Sequence, residues 1–297
     1  MQQTAHAGGP LVWRDMDQQA LDNAYDQLIY APNRDIILGR IAAASARTRA
    51  AIGNPQRVAY GSSEQEVLDI FRAPGRSDAP INVFVHGGAW RGGSATTSAF
   101  VAEPLVGAGA HAVVIDFINV DQAGGDLFPM YRQVSRAIAW AWRNAKSFGG
   151  DPDRLYVSSH SSGSHLASTA LTRGWREEGL PPDFCKGALL GSGMYDLEPV
   201  RLSKRSTYVK FTDAMVQSLS AMRHIDGLMA PVILVHGTCE SPEFERQTRD
   251  FFAALKAAGK PADLIVGEGY NHFELFETFG NPYGIVGRAM LRQMGLA

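Results

Sequence analysis

The chain has 297 residues, 45% of them hydrophobic, 20% charged and 9% aromatic, which is enough apolar material for a sizeable core in one large α/β domain or two smaller ones and excludes disordered and collagen-like classes. Its 28 basic and 30 acidic residues leave a formal charge of −2, with no Lys/Arg cluster of the kind that tracks a nucleic acid. The two cysteines, Cys185 and Cys239, are too few for a disulfide scaffold and lie in no metal-binding spacing. With neither a signal-like start in residues 1–14 nor 18 uninterrupted apolar residues anywhere, the expectation is a soluble cytoplasmic protein.

In chain order, residues 14–52 have intermittent apolar positions (Leu21, Tyr25, Leu28, Ile29, Ile36, Ile37, Ile41) that suit one or two amphipathic helices, an N-terminal extension that forms a partial lid or, as the default expectation, braces the sheet. Arg57–Tyr60 and Val67–Phe71, separated by Gly61-Ser62-Ser63, read as an antiparallel hairpin. Short β-branched runs follow at Ile81–Val85, Ala112–Phe117, Leu155–Val157, Ala188–Leu190, Val232–Val235 and Leu264–Val266, each bounded by Gly, Asp, Pro or Asn, as buried parallel strands are. Helical patterns lie between or after them at Pro129–Phe148, Ser164–Arg173, Glu243–Ala258 and Tyr283–Met294. Alternating strands and helices predict βαβ units in a doubly wound, mostly parallel sheet, with residues 1–297 forming one α/β domain.

Leu155-Tyr156-Val157 runs into Ser158-Ser159-His160-Ser161-Ser162-Gly163 and then a helical pattern, the setting of a nucleophile elbow. Among the five serines from Ser158 to Ser164, only Ser161 has a small residue two positions before it and a glycine two positions after. Alone, S-x-S-x-G is equally the mark of a capped loop, so its neighbours decide. His86-Gly87-Gly88-Ala89-Trp90 closes the Ile81–Val85 strand with a turn of unobstructed backbone N–H groups, able to receive the negative oxygen of a tetrahedral acyl-transfer intermediate. Gly88 and Ala89 are the expected donors, with the N–H of Ser162.

A serine hydroxyl needs a base, and eight histidines compete for the role. His6 sits in the N-terminal tail; His111 and His224 have no motif around them; His86, His160, His165 and His236 neighbour motifs and are assigned structural roles. His272 follows the last strand at the carboxyl edge of the sheet, where the elbow also emerges. Its acid is expected after Val232–Val235, at Glu240, because Ser241-Pro242-Glu243 reads as a helix start; Asp196 is the runner-up. The order Ser161, Glu240, His272 is that of one fold class.

On His86–Trp90, the His160–Ala167 elbow, Gly193-Met194-Tyr195-Asp196-Leu197-Glu198-Pro199, Glu240-Ser241-Pro242-Glu243-Phe244 and Leu21-Asp22-Asn23-Ala24-Tyr25, the chain resembles the α/β-hydrolase family, specifically the bacterial arylformamidase (kynurenine formamidase) group neighbouring the hormone-sensitive-lipase-like esterases. Ser159 departs from the usual elbow glycine, Glu240 from the commoner aspartate and Ala89 from the third glycine of related esterases. The resemblance implies metal-free hydrolysis of an N-formyl arylamine, typified by N-formyl-L-kynurenine. The alternatives are a carboxylesterase acting on short-chain acyl or aryl esters and a non-catalytic binding module on the same scaffold. Trp90, Phe117 and Tyr195, just beyond strand or motif ends, are candidates for an aromatic wall against an aryl leaving group. No metal or other cofactor is expected, since HExxH, G-x-G-x-x-G and a P-loop lysine are missing. The expected partner is a small aryl amide or ester, with no nucleic acid or membrane, and the chain is compatible with a homodimer.

Overall fold

The structure is a computed structural model describing residues 9–297, so His6 lies outside the described residues. A two-stranded ribbon (Leu11–Trp13, Met16–Asp17) leads into helices α1 (Gln18–Ala24), α2 (Gln27–Tyr30) and α3 (Arg34–Ile52). Eight strands then build the main sheet: β1 (Gln56–Ala59), β2 (Val67–Phe71), β3 (Ala79–Val85), β4 (His111–Ile115), β5 (Gly150–His160), β6 (Cys185–Gly191), β7 (Val232–Gly237) and β8 (Ala262–Gly267). They lie in the order β1-β2-β4-β3-β5-β6-β7-β8. β1 and β2 pair antiparallel, as do β2 and β4, and all other neighbours are parallel.

The continuous apolar runs follow from burial on both faces. In β3, Ile81, Val83 and Val85 point into one hydrophobic cluster while Phe84 enters the opposite one; in β4, Val113 and Ile115 oppose Ala112 and Val114 in the same way. Period-two alternation therefore persists although every residue of both strands is buried.

Helices α4 (Ala102–Gly107), α5 (Phe128–Arg143), α6 (Ser162–Thr169), α7 (Pro242–Ala257), α8 (His272–Glu277) and α9 (Ile285–Gln293) complete the frame used below. Several regions differ from the sequence reading, among them α8 and the helix Asp213–Leu219, which have no counterpart there. α4 has no counterpart there, because its Pro104 and Gly107 interrupt the helical pattern. β5 runs on to His160, so α6 starts at Ser162 rather than Ser164, and Ser161 becomes the junction residue. β3 lies at the topological switch point, its successor β4 on one side and β5 on the other, which opens a crevice at the carboxyl ends of β3 and β5. Val85 and Ser159 are register partners there, so the His86–Trp90 loop and the elbow leave the sheet side by side.

Candidate active site

Ser161 joins β5 to α6 with φ 58° and ψ −129°, a left-handed conformation that costs a non-glycine residue on the order of 1–3 kcal/mol. Its N–H is fixed on the Gly191 carbonyl at 2.8 Å. Gly163 is required sterically: a Cβ there would lie 2.3 Å from the Val85 carbonyl oxygen and 2.4 Å from that of His86. Ser159 replaces the first glycine without loss because its buried hydroxyl donates to Ser164 Oγ at 3.0 Å, and Ser164 Oγ donates in turn to the Gly191 carbonyl at 2.8 Å.

The structure brings Ser161, His272 and Glu240 together. His272 is the first residue of α8, whose N-terminus is set by Asn271 and Glu274 in a reciprocal capping box. His272 Nε2 lies 2.9 Å from Ser161 Oγ, and His272 Nδ1 lies 2.7 Å from Glu240 Oε2. The other carboxylate oxygen, Glu240 Oε1, accepts the Ser192 hydroxyl at 2.6 Å and the Gly237 N–H at 2.8 Å. Because the buried carboxylate is an acceptor, Nδ1 carries the imidazole proton, and Nε2 is free to accept from the Ser161 hydroxyl. Ser192 was not foreseen as a site residue; its only sequence signal is its place directly after β6, at the edge where the other groups converge. Asp196, the alternative acid, is turned away: its carboxylate caps the Glu198 N–H at 3.1 Å and faces Arg223 at 3.5 Å.

Four motif-neighbouring histidines are buried as structural groups. His160 Nε2 donates to the His272 carbonyl at 3.1 Å, and the two rings lie 4.4 Å apart. Burial and the neighbouring His272 push the His160 pKa well below the usual imidazole value, so it remains a neutral prop. His165 accepts Trp90 Nε1–H at 3.2 Å and donates to the Leu219 carbonyl at 2.9 Å; burial pushes its pKa down to about 4. His86, stacked on Phe117 at 4.4 Å, and His236 are lowered by burial too. His111 joins the Ala73 N–H to the Gly149 carbonyl, and His224 contacts the Gln217 carbonyl, both away from Ser161.

The His86–Trp90 loop turns through three successive positive-φ residues, Gly88 (116°), Ala89 (54°) and Trp90 (62°). Trp90 N–H donates to Ser162 Oγ at 3.1 Å, tying loop to elbow. Gly87 permits the approach, since a Cβ would stand 2.9 Å from Ser161 Cβ. Among the described residues the N–H groups of Gly88, Ala89 and Ser162 donate to no protein acceptor, and Ser162 opens α6, where unpaired N–H groups and the helix dipole favour an anion.

Ser161, His272 and the loop face a cavity of about 580 Å³. Its far wall is built by residues 14–52: Tyr25, Gln27, Leu28, Leu38 and Ile41 from the α1–α3 region line it, the arrangement of the partial-lid alternative. The wall is bolted down by buried polar contacts: Tyr25 Oη donates to Glu243 Oε2 at 2.8 Å and accepts from Gln247 Nε2 at 2.7 Å, and Asn33 holds Glu274 of α8 at 2.7 Å. The aromatic wall needs correction. Tyr195 is fully buried and stacked on Phe251 at 4.3 Å; Trp90 is buried against His165; Phe117 lies beyond His86 and outside this cavity. Tyr25, Tyr208, Phe273 and Phe276 supply the aromatic lining instead.

Cys185 is buried, its thiol pushed up to about 12 by desolvation, whereas Cys239 beside Glu240 is exposed. Among the described residues, no group of three or more His, Cys, Asp or Glu is placed to hold a metal ion, and no helix is long and apolar enough to cross a membrane.

The eight-stranded sheet with an elbow at its switch point is the α/β-hydrolase fold. A family model described as BD-FAE matches residues 68–179. Over 95% of its length the chain is 28% identical to kynurenine formamidase of Danio rerio, spanning 98% of that protein, and it is equally similar to kynurenine formamidase of Salmo salar. It is 26% identical to an isoprenylcysteine alpha-carbonyl methylesterase of Arabidopsis thaliana, over 74% of this chain and 56% of that one. Among solved structures, esterase B of Lactobacillus rhamnosis superposes with a TM-score of 0.70 at 17% identity, covering 91% of this chain and 95% of that one. The esterase Est2 of Thermogutta terrifontis gives 0.65 at 21%, covering 82% and 90%. The chain thus has the α/β-hydrolase fold and is similar over nearly its whole length to kynurenine formamidases, which are hydrolases.

Proposed function

We propose that the protein is a serine hydrolase that removes a formyl or similarly small acyl group from an aryl amide, with N-formyl-L-kynurenine the favoured substrate. The observation that carries this reading is the unbroken relay from Ser161 Oγ through His272 to Glu240, opening into an aromatic-lined cavity, in a chain similar to kynurenine formamidases over nearly its whole length.

In this mechanism Ser161 Oγ attacks the acyl carbon while His272 Nε2 takes its proton, and Glu240 stabilises the resulting imidazolium. The carbonyl oxygen moves toward the unpaired N–H groups of Gly88, Ala89 and Ser162, which match the negative charge it acquires. His272 returns the proton to the leaving nitrogen, the arylamine departs, and Ser161 keeps the acyl group. Water, deprotonated by His272, then releases formate and restores the serine. Fixing Nδ1–H on a carboxylate held by two other donors, Ser192 and Gly237, keeps His272 in the tautomer that every step requires.

A carboxylesterase using the same groups is the second reading, favoured by the methylesterase relative and the esterase folds. Rates on N-formylkynurenine, formylanthranilate and p-nitrophenyl acetate separate the two: the formamidase reading expects kcat/KM on the first to exceed that on the acetate, and a formamide rate no better than the ester rate overturns it. We place the protein in the cytoplasm, tested by cell fractionation, and expect a homodimer, which light scattering on the purified protein would confirm or replace with a monomer.

A further inference from the structure

Among the cavity-lining residues, the acidic side chains amount to Asp26 alone, against three cations, Arg34, Lys204 and Arg205. Burial works to raise the Asp26 carboxyl, but hydrogen bonds from Lys204 and the Leu28 N–H hold it below its usual range, so Asp26 is committed to Lys204. Arg34 is 38% exposed at the rim, over the Phe273 ring.

Arg205 is different. Only 7% of it is exposed, and a guanidinium stays charged under all ordinary conditions with five N–H donors. Two are used, both on neutral oxygens: Nη1 donates to Tyr208 Oη at 2.7 Å and Nη2 to the Tyr25 carbonyl at 3.1 Å. Nε is buried without a partner, and among the described residues no carboxylate pairs with the group. Its carbon lies 5.5 Å from the Trp90 ring centroid and 6.0 Å from that of Phe244, which fixes its plane between the oxyanion-type loop and α7. A buried cation with no carboxylate in contact, only the more distant charge of Asp26 that is already paired with Lys204, is costly to fold, and two hydrogen bonds to neutral oxygens do not require a charge. An arginine so placed, lining the same cavity as Ser161, suits a ligand that brings its own anion in a planar, two-oxygen form.

We propose that Arg205 is the specificity residue of the cavity, receiving the free carboxylate that a substrate such as the favoured N-formyl-L-kynurenine carries. The inference rests on the reading of Ser161 as the nucleophile. A formyl or short acyl group has no carboxylate, so the carboxylate belongs to the part of the substrate that leaves with the His272 proton. The substrate class is then an aryl amide or ester whose aryl group carries a carboxylate-terminated side chain. Lys204 is held by Asp26 and does not compete.

The test uses two matched pairs on the full-length protein: 4-(2-formamidophenyl)-4-oxobutanoate against its primary carboxamide, and 3-(4-acetoxyphenyl)propanoate against its primary carboxamide. The acid is expected to exceed its carboxamide in kcat/KM by about 50-fold in each cleaved pair, mainly through KM, as for the loss of one buried charge partner. In Arg205→Met that ratio falls close to one, and in Arg205→Lys it is intermediate. Should Arg205→Met fail to fold, inhibition of the wild-type protein by 4-oxo-4-phenylbutanoate against its carboxamide reads the preference, and Arg205→Lys reads the residue. Equal rates on acid and carboxamide in the wild type overturn the inference, as does an undiminished ratio in a folded Arg205 variant. If the acetoxy acid is preferred while neither formamide is cleaved, carboxylate recognition stands and the formamidase reading fails; formamides cleaved without preference give the reverse.

Discussion

The cavity has two walls of different origin. One is the carboxyl edge of the sheet, where Ser161, Glu240, His272 and the Gly88-Ala89 turn each sit within a few residues of a buried strand end. The other is the N-terminal extension, whose Tyr25, Gln27, Leu28, Leu38 and Ile41 approach from far away in sequence and are fastened by Tyr25 to α7 and by Asn33 and Arg40 to α8. The sheet wall carries the groups of the proposed chemistry on rigid backbone; the extension shapes and closes the space in front of them. Changes to the first are therefore expected in kcat, changes to the second in KM and in stability.

The largest effect belongs to the elbow. Ser161→Ala keeps the turn, because alanine tolerates the same φ about as well as serine, and is expected to lower kcat on the order of 10⁴-fold or more with little change in Tm, measured by steady-state kinetics and thermal melts. A kcat within tenfold of wild type would remove Ser161 from the chemistry. Next comes Glu240→Gln, which presents an amide donor to His272 Nδ1 and favours the wrong tautomer, for an expected loss on the order of 10³–10⁴ in kcat.

On the other wall, Tyr25→Phe removes a hydroxyl that bridges Glu243 and Gln247 while leaving Arg246 on Glu243. It should cost about 1–2 kcal/mol, lowering Tm by a few degrees and raising KM more than it lowers kcat. A kcat loss like that of Glu240→Gln would erase the distinction between the walls. The smallest effect is a pH dependence common to both. His86, His160, His165 and His236 have folded-state pKa values below the ordinary imidazole value, so between those two limits the unfolded chain binds more protons. Their contribution is fully present above about pH 6.5 and is lost as pH falls toward the folded values, about 4 for His165, so Tm should decline from pH 7 to pH 5. A flat profile over that interval would contradict the neutral burial of these rings.

The same division governs what the sequence makes legible. The strands, the elbow and the placing of Ser161, Glu240 and His272 rest on local signals, namely a β-branched run, a small-residue turn and the position just after a strand end. The aromatic wall does not follow from such signals, because position after a strand says nothing about side-chain direction: Tyr195 turns inward onto Phe251, and Trp90 is drawn under its own loop by Ser162 and His165. Phe273, next to His272, carries no motif, and Tyr25 and Tyr208 reach the cavity only through tertiary folding. Ser192 and Arg205 were out of reach for the same reason, since each acquires meaning from a partner, or from the lack of one, distant in the chain.

The central claim, that Ser161 is an activated nucleophile, is tested most directly by treating the native protein with a fluorophosphonate and mapping the modified residue by peptide mass spectrometry. The account predicts stoichiometric modification at Ser161 that disappears in Ser161→Ala and slows strongly in His272→Ala. Labelling at another residue, or none in a protein that is folded, would contradict it.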